Sequence, residues 1–256
     1  MSSGPVSLMG GMEHSPGCEP IDRHLMDLLG VRRPTVVVVP AASRSHMVPV
    51  ASERALRYWS RLGGRVRVAL AGRDDPEYVV DALEGADIIV MTGGQSDHIR
   101  TALHGTEVWD RIVAMWMQGT AVAGSSMGMI ELFELRFRLW PPRPLAVVRG
   151  LGLLNGYLGV PHYDRYGLRR WCDLASLRLT GPGILGIDER TGLVGREGRF
   201  RVVGCGSAAV VRNGARWELA AGAEIVLNQS ENLLRPVGEP ATPPLRQANR
   251  LTASRP

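Results

Sequence analysis

The sequence predicts an α/β protein with a mostly parallel sheet, helices on both faces of that sheet, and a C-terminal β-hairpin region. Short apolar runs alternate with segments of helical periodicity from residue 6 to residue 130, which is the pattern of strand–helix–strand units. The run 35–39 is apolar on both faces, as strands buried in a parallel sheet are, and 86–91 is expected to be another buried strand. After residue 190 the pattern changes to short strands separated by the turn residues Gly198 and Asn213-Gly214.

The individual elements follow from local composition and from the glycines and prolines that interrupt it. Strands are expected at 6–9, 35–39, 66–70, 86–91, 120–123 and 184–189, an apolar run covers 157–160, and hairpin strands are expected at 191–194, 200–203, 208–212, 215–219 and 223–227. Helices are expected at 21–29, 48–62, 78–83, 98–103, 108–118 and 168–179, where apolar residues recur at helical spacing.

Residues 136–149 interrupt the alternation of strands and helices. The run Trp140-Pro-Pro-Arg-Pro144 cannot lie inside a helix, because proline lacks the N–H and clashes with the preceding turn. We interpret the segment as a surface excursion beside the site. The helix-compatible run before it, 129–134, carries the carboxylates Glu131 and Glu134.

Length and composition fit one domain with a short tail. With 256 residues and 45% hydrophobic content, the chain can bury a full core within a single α/β domain, expected at residues 1–236. Residues 237–256 contain mainly Pro, Ala, Thr and Arg with few apolar side chains, and a disordered tail is expected there.

Charge, hydropathy and cysteine content bear on the expected partners and location of the protein. The net charge of +5 comes from arginines scattered along the chain, so no nucleic-acid partner is expected. No apolar stretch approaches the ~20 residues of a membrane helix, and the N-terminus lacks the pattern of a secretory signal. Three widely spaced cysteines, Cys18, Cys172 and Cys205, indicate a reduced cytoplasmic protein and show no metal-ligand spacing.

A serine flanked by glycines lies between the predicted strand 120–123 and the helix-compatible run. Gly124-Ser-Ser-Met-Gly128 matches Gly-x-Ser-x-Gly, the pattern of a nucleophile elbow, in which a sharp and strained turn presents the middle serine. Ser126 is therefore the candidate nucleophile, and the Met127 N–H at the helix start could bind an oxyanion. The alternative is a glycine-rich strand–helix turn with a serine cap.

A serine nucleophile needs a base to take its proton. Six histidines are available: His14, His24, His46, His98, His104 and His162. His162 is the best candidate because it follows an apolar segment in a late loop, and His46, which follows a strand, is the second.

The base needs an acid to orient it, and several carboxylates compete for this role. Asp188 and Glu189 both end a predicted strand, so either could reach the site. Glu131 and Glu134 are more simply explained as stabilising a helix N-terminus. The resulting order of serine, histidine and acid differs from the order of serine, acid and histidine in α/β-hydrolases, which disfavours that fold.

Four stretches together resemble the cyanophycinase and aspartyl-dipeptidase (peptidase E-like) family of serine peptidases. They are Leu8-Met-Gly-Gly11, Met91-Thr-Gly-Gly-Gln95, Gly124-Ser-Ser-Met-Gly128, and Pro161-His-Tyr-Asp164 followed by Gly186-Ile-Asp-Glu189 and the hairpins. The family's fold is similar to that of class I glutamine amidotransferases, with a serine in place of the cysteine. The resemblance therefore implies this fold and a peptidase activity.

The resemblance also implies roles for individual residues. The implied catalytic residues are Ser126, His162 and Glu189, the oxyanion amides are those of Gly94 and Met127, and the substrate-binding residues are Gln95, Ser96, Arg165 and Arg170. No metal or organic cofactor is implied. The sequence departs from the family at Met127, where alanine is usual, at Val160-Pro161, which replaces Asp-Gln, and at Gly167, which replaces an arginine. Cleavage of cyanophycin itself is therefore not expected.

We expect a cytoplasmic serine hydrolase that cleaves an amide bond in a peptide or an aspartyl-type small molecule. A homodimer is possible, and neither nucleic acid nor membrane is an expected partner. Two alternatives remain open. An amine could intercept the acyl-enzyme, which would make the protein an amide-forming acyltransferase of a biosynthetic pathway. A catalytically inactive binding protein would instead hold the Ser126 hydroxyl beyond hydrogen-bond reach of His162.

Overall fold

Two β-sheets, a short hairpin and seven helices are formed by residues 2–138, 146–227 and 235–236, which are the residues that this computed structural model describes. The strands are β1 (Val6–Met9), β2 (Thr35–Val39), β3 (Arg65–Val68), β4 (Ile88–Met91), β5 (Ala121–Ser125), β6 (Leu135–Phe137), β7 (Val147–Arg149), β8 (Tyr157–Val160), β9 (Gly183–Ile187), β10 (Thr191–Arg196), β11 (Arg199–Gly204), β12 (Ser207–Arg212), β13 (Ala215–Ala220), β14 (Glu224–Val226) and β15 (Arg235–Pro236). The helices are α1 (Glu19–Leu29), α2 (Val48–Arg61), α3 (Pro76–Leu83), α4 (Ser96–Leu103), α5 (Glu107–Met117), α6 (Met127–Glu131) and α7 (Leu168–Ser176), with a 3-10 turn at Ser45–Met47.

The main sheet combines a parallel half with an antiparallel half. Its strand order is β15-β14-β11-β10-β1-β5-β4-β2-β3. Strands β1, β5, β4, β2 and β3 are mutually parallel, whereas β10 pairs antiparallel with β1 and begins a meander through β11, β14 and β15. The carboxyl ends of β1, β5 and β4 therefore lie side by side, which is where α/β sheets bind their ligands.

Helices cover both faces of the parallel half. Along β2, Val36 and Val38 pack with α1 and α2, while Val37 and Val39 pack with α3, α4 and α5. All four valines are fully buried, because successive side chains of a strand point to opposite faces and both faces are covered. The predicted α/β architecture with a mostly parallel sheet and helices on both faces is confirmed.

The C-terminal hairpins are divided between two sheets. Strands β10 and β11 extend the main sheet, whereas β12 and β13 join β9 and β8 in a second sheet of order β13-β12-β9-β8. In this second sheet β8 and β9 are parallel, so the loops that follow them leave from the same edge. Helix α7 packs against β9 and β12. Both hairpins were predicted, but their assignment to different sheets was not.

Two expectations near the strand–helix turn are wrong. The helix does not run to Glu134, because α6 ends at Glu131 and the Glu134 N–H instead donates to the Leu154 carbonyl (2.7 Å). The excursion is not wholly at the surface either. It begins and ends in the hairpin of β6 and β7, where Arg136 is only 4% exposed and pairs with Glu131 (2.7 Å), itself 0% exposed.

Several expectations fall on residues that the structure does not describe. The proline-rich run Trp140–Pro144 lies within 139–145, and the tail predicted at 237–256 also lies outside the described residues. Within the described ranges, no helix combines the length and the apolar character needed to cross a lipid bilayer.

Candidate active site

Ser126 lies at the carboxyl end of β5, in the sharp turn before α6. Its backbone angles are φ 50° and ψ −115°, a conformation that costs a non-glycine residue about 1–3 kcal/mol. The surroundings hold it there, because the Ser126 N–H donates to the Met9 carbonyl (3.0 Å) and its own carbonyl accepts from Met129 and Ile130 (both 3.1 Å). Ser126 is buried, with 8% of its surface exposed.

The two glycines of the turn are required by close packing. A β-carbon at Gly124 would lie 2.7 Å from the Gly128 carbonyl oxygen, and one at Gly128 would collide with the Met91 carbonyl oxygen. Since neither contact could be relieved without moving the backbone, the sharp strand–turn–helix connection depends on both glycines. The sequence pattern had predicted this geometry around Ser126.

His162 lies in the loop after β8 of the second sheet, and its side chain contacts Ser126. It follows β8 with φ 51°, and its N–H donates to the carbonyl of Gly10 (2.8 Å), in the loop after β1. The imidazole Nε2 lies 2.9 Å from Ser126 Oγ, and Nδ1 lies 2.9 Å from Glu189 Oε1. Serine, histidine and glutamate thus form one continuous hydrogen-bonded chain across three separate segments.

Glu189 is held from both sides of its carboxylate. Oε1 faces His162, while Oε2 accepts from Arg165 Nε (3.2 Å) and Nη2 (3.0 Å). Burial raises the pKa of Glu189, but the hydrogen bonds from His162 and Arg165 and the charges of both groups outweigh it, so the net pKa is below its ordinary value. An ionised carboxylate only accepts, so His162 Nδ1 must carry the proton and Nε2 is free to accept from Ser126.

Asp188 points away from His162 and has a structural role. Its Oδ2 accepts from the Ser207 N–H (2.9 Å) and hydroxyl (2.8 Å), and both carboxylate oxygens contact Arg169 Nη2 at 3.1–3.2 Å. These contacts tie the end of β9 to β12 and α7. Of the two acids that the sequence left open, Glu189 therefore contacts the histidine.

The turn after β4 brings Gly94 and Gln95 to the same edge of the sheet. The Gln95 N–H donates to the Ala42 carbonyl (2.7 Å), and a β-carbon at Gly94, which has φ 147°, would collide with that carbonyl. With its amide oxygen turned towards Arg44, the Gln95 side chain accepts from Arg44 Nε (3.2 Å) and Nη2 (3.0 Å) and donates to His98 Nε2 (3.0 Å).

The other residues that the sequence proposed for the site lie at different positions around Ser126 and His162. Met127 begins α6, so its N–H is at the helix start as predicted, and its side chain packs against the main core. Ser96 is the first residue of α4. Arg165 is bound to Glu189 rather than free, whereas Arg170 is exposed in the first turn of α7. His46, the second candidate base, is exposed in the 3-10 turn.

Sequence reasoning missed Glu13. Its Oε1 accepts from the Gly93 N–H (2.7 Å) and its Oε2 accepts from Ser125 Oγ (2.7 Å), so it contacts residues on both sides of the site. The sequence did contain one signal for Glu13. It is an acidic residue in the glycine-rich loop that follows the strand 6–9, and the end of this strand was expected at the site. The neighbouring His14 is a packing residue that accepts from Trp59 Nε1 (3.2 Å), and burial lowers its pKa to about 4.

No metal centre is formed by the described residues, because no three His, Cys, Asp or Glu side chains among them are grouped as ligands. A cavity of about 310 Å³ lies at the opposite end of β1 and is lined by Val6, Trp116 and Phe200, among others. The groups that the centre brings into line are a serine hydroxyl, an imidazole and a carboxylate.

A hydrogen-bonded chain of serine, histidine and carboxylate at the carboxyl edge of a helix-covered sheet is the arrangement that serine hydrolases use. The sequence profile of peptidase family S51 matches residues 6–203, and the chain therefore belongs to this peptidase family. The resemblance that the sequence motifs suggested is confirmed. No match is found among functionally curated protein sequences.

Solved structures with peptidase descriptions share the fold. A crystal structure of a peptidase from an acI-B1 actinobacterium has a TM-score of 0.75 at 23% identity, over 88% of this chain and 97% of that chain. A putative peptidase E protein from Listeria monocytogenes EGD-e, solved at 1.5 Å, has a TM-score of 0.60 at 16% identity, over 80% and 98%. At these identities the likeness establishes the architecture.

Proposed function

We propose that this S51 family member is a serine peptidase that hydrolyses an amide bond through an acyl-enzyme on Ser126. The observation that carries the proposal is the chain of two 2.9 Å hydrogen bonds from Ser126 Oγ through His162 to Glu189. The strained backbone of Ser126 adds support, because strain of this kind marks functional sites and is the geometry of a nucleophile elbow.

The reaction follows the roles that the three groups can take. His162 Nε2 accepts the Ser126 proton as Oγ attacks the scissile carbonyl carbon, and Glu189 stabilises the imidazolium without taking a proton. His162 then gives the proton to the leaving amine as the C–N bond breaks. Water, deprotonated by the same nitrogen, attacks the ester carbonyl carbon, and His162 gives that proton to Ser126 Oγ as the C–O bond breaks.

The N–H groups of Gly94 and Met127 would bind the oxyanion of the tetrahedral intermediate. The Gly94 N–H has no hydrogen-bond acceptor among the described residues, so it is available to a ligand. The Met127 N–H is at the N-terminus of α6, where helical N–H groups have no partner within the helix. Removing one such donor typically costs about 10²–10³-fold in kcat.

The substrate in this proposal is a peptide or an aspartyl-type small amide, contacted by Gln95, Ser96 and Arg170. Arg165 was expected among the substrate-binding residues, but its guanidinium already pairs with Glu189, which supports a role within the catalytic centre. With one arginine engaged in this way and Gly167 in place of another, a substrate carrying many charged side chains, such as cyanophycin, is not favoured.

The proposal also covers the location of the protein and the fate of the acyl-enzyme. A cytoplasmic location is supported by the three free thiols of Cys18, Cys172 and Cys205, because disulfides are rare in reducing compartments. Acyl transfer to an amine remains the alternative activity, since it uses the same acyl-enzyme. The inactive alternative required the Ser126 hydroxyl to be out of reach of His162, and the 2.9 Å separation argues against it.

A fluorophosphonate probe tests the nucleophile without knowledge of the substrate. Peptide mass mapping should find the wild-type protein labelled on Ser126, and not on the adjacent Ser125. Ser126→Ala should abolish labelling, whereas Ser60→Ala, at an exposed position of α2, should leave it unchanged. Equal behaviour of wild type and Ser126→Ala, towards the probe and towards a peptide library, would refute the proposal. Product analysis with and without added amines separates hydrolysis from acyl transfer.

A further inference from the structure

Glu13 joins the two turns that flank the proposed oxyanion site. Its carboxylate accepts from the Gly93 N–H after β4 and from the Ser125 hydroxyl at the end of β5, each at 2.7 Å. Both oxygens act as acceptors, which suits an ionised carboxylate. The two hydrogen bonds fix the positions of both partners, which belong to different turns.

The turn that supplies the Gly94 N–H is fixed on both sides. Glu13 takes the preceding amide, that of Gly93, and the Ala42 carbonyl takes the following amide, that of Gln95 (2.7 Å). Gly94 lies between these two anchors, and its N–H has no partner among the described residues. Glu13 therefore also decides which of two consecutive glycine amides remains available.

Gly93 lies close to both Ser126 and the Glu13 carboxylate. A β-carbon built on Gly93 would lie 2.9 Å from Ser126 Cβ and 3.1 Å from Glu13 Oε1, so no side chain fits between them. A shift of the Gly93–Gly94 peptide would consequently change the distance from the Gly94 N–H to any group attached to Ser126.

We propose that Glu13 is a positioning residue that holds the Gly93–Gly94 peptide so that the Gly94 N–H is directed at the oxyanion. The inference rests on the proposed serine mechanism. Glu13 acts through geometry and not through its charge, because both carboxylate oxygens are engaged by protein donors.

Two substitutions separate geometry from charge. Glu13→Gln removes the charge and keeps the reach: its carboxamide oxygen can accept from Gly93, and its NH₂ can donate to the Ser125 oxygen. Glu13→Asp keeps the charge and loses one methylene, so it cannot bridge both partners. Glu19→Ala is the matched control, since the Glu19 carboxylate accepts from the Gly17 N–H (2.7 Å) in the same loop.

The experiment measures the rate of fluorophosphonate labelling against probe concentration, which separates the maximal rate kinact from the binding constant KI. The phosphoryl oxygen of the probe occupies the oxyanion position, so kinact reports on the Gly94 N–H. Glu13→Asp should lower kinact by about 10–100-fold with little change in KI, because misplacing one oxyanion donor has this order of effect. Glu13→Gln and Glu19→Ala should stay within about threefold of wild type, a spread below ~0.7 kcal/mol.

Each outcome decides the inference. Wild-type kinact in Glu13→Asp, a loss in Glu13→Gln as large as that in Glu13→Asp, or a change confined to KI would overturn it. Circular dichroism melts establish that the variants are folded, and if Glu13→Asp is not, a loss of kinact beyond about threefold in Glu13→Gln still overturns the inference. A wild-type protein that is not labelled on Ser126 would instead refute the proposed function itself, so the two failures are distinguishable.

Discussion

Glu189→Gln changes one carboxylate oxygen to an NH₂ group and should reverse the tautomer of His162. Arg165 directs two N–H donors at Oε2 of Glu189, at 3.2 and 3.0 Å. A glutamine at this position must therefore keep its oxygen towards Arg165 and turn its NH₂ towards His162 Nδ1. Nδ1 then has to accept, Nε2 carries the proton, and the base can no longer take the proton from Ser126.

The expected loss is about 10⁴-fold in kcat, the size of effect that this tautomer error has in a serine-protease triad. It corresponds to about 5.4 kcal/mol of transition-state stabilisation, at 1.36 kcal/mol for each factor of ten. The fold should be retained, since the substitution conserves the shape of the side chain and its bonds to Arg165.

The double variant Glu189→Gln/Arg165→Met tests whether Arg165 sets the orientation of the introduced amide. Without the guanidinium, the amide can turn over and present its oxygen to His162, which restores the productive tautomer. We expect its kinact towards a fluorophosphonate to exceed that of Glu189→Gln by about 10-fold or more, while Arg165→Met alone loses less than about 10-fold. A Glu189→Gln enzyme within tenfold of wild type, or a double variant that gains nothing, would refute this reasoning.

Two further substitutions test the site and the core. Gly11→Ala should lower kinact by about 10–100-fold, because a β-carbon there would collide with the His162 ring, whereas Gly30→Ala, also at positive φ but facing open space, should cost only about 1 kcal/mol of stability. Asp22→Asn should change the pH dependence of folding: burial raises the pKa of Asp22 from 3.8 to about 7, although the hydrogen bond from Tyr58 (2.6 Å) opposes this. A carboxyl group with a raised pKa stabilises the fold at low pH, and this contribution is lost as the pH rises through the folded-state pKa. Between pH 5 and 7 the free energy of unfolding of Asp22→Asn should therefore rise by about 2 kcal/mol relative to wild type. Urea titrations that give the same difference at both pH values would contradict this.

Local sequence predicted most of the secondary structure because burial leaves a periodic pattern. The four valines of β2 identify a strand covered on both faces, and Gly30 marks the end of α1, where it adopts the left-handed conformation with φ 69°. The pattern fails where a distant partner competes with the helix. Leu154 accepts the Glu134 N–H, so the chain leaves α6 after one turn despite its helix-compatible composition.

The candidate site was predictable in part for a similar reason. The turn around Ser126 needs glycines on both sides, and both glycines are visible in the five consecutive residues 124–128. His162 and Glu189 could be proposed from their positions after predicted strands. Nothing local distinguishes Glu189 from Asp188, since their different directions are set by partners on other segments, Ser207 and Arg169 for Asp188 and His162 for Glu189.

The sequence by itself determined the strand–helix alternation, the strained turn at Ser126, and the family. Tertiary structure alone decided that β12 and β13 join a second sheet, that Arg165 binds Glu189, and that Glu13 connects the turns beside the nucleophile. The physical reason is the range of the interactions involved. Backbone sterics and hydrophobic periodicity act between near neighbours in the chain, whereas a carboxylate finds its donors across the packed ends of strands that are distant in sequence.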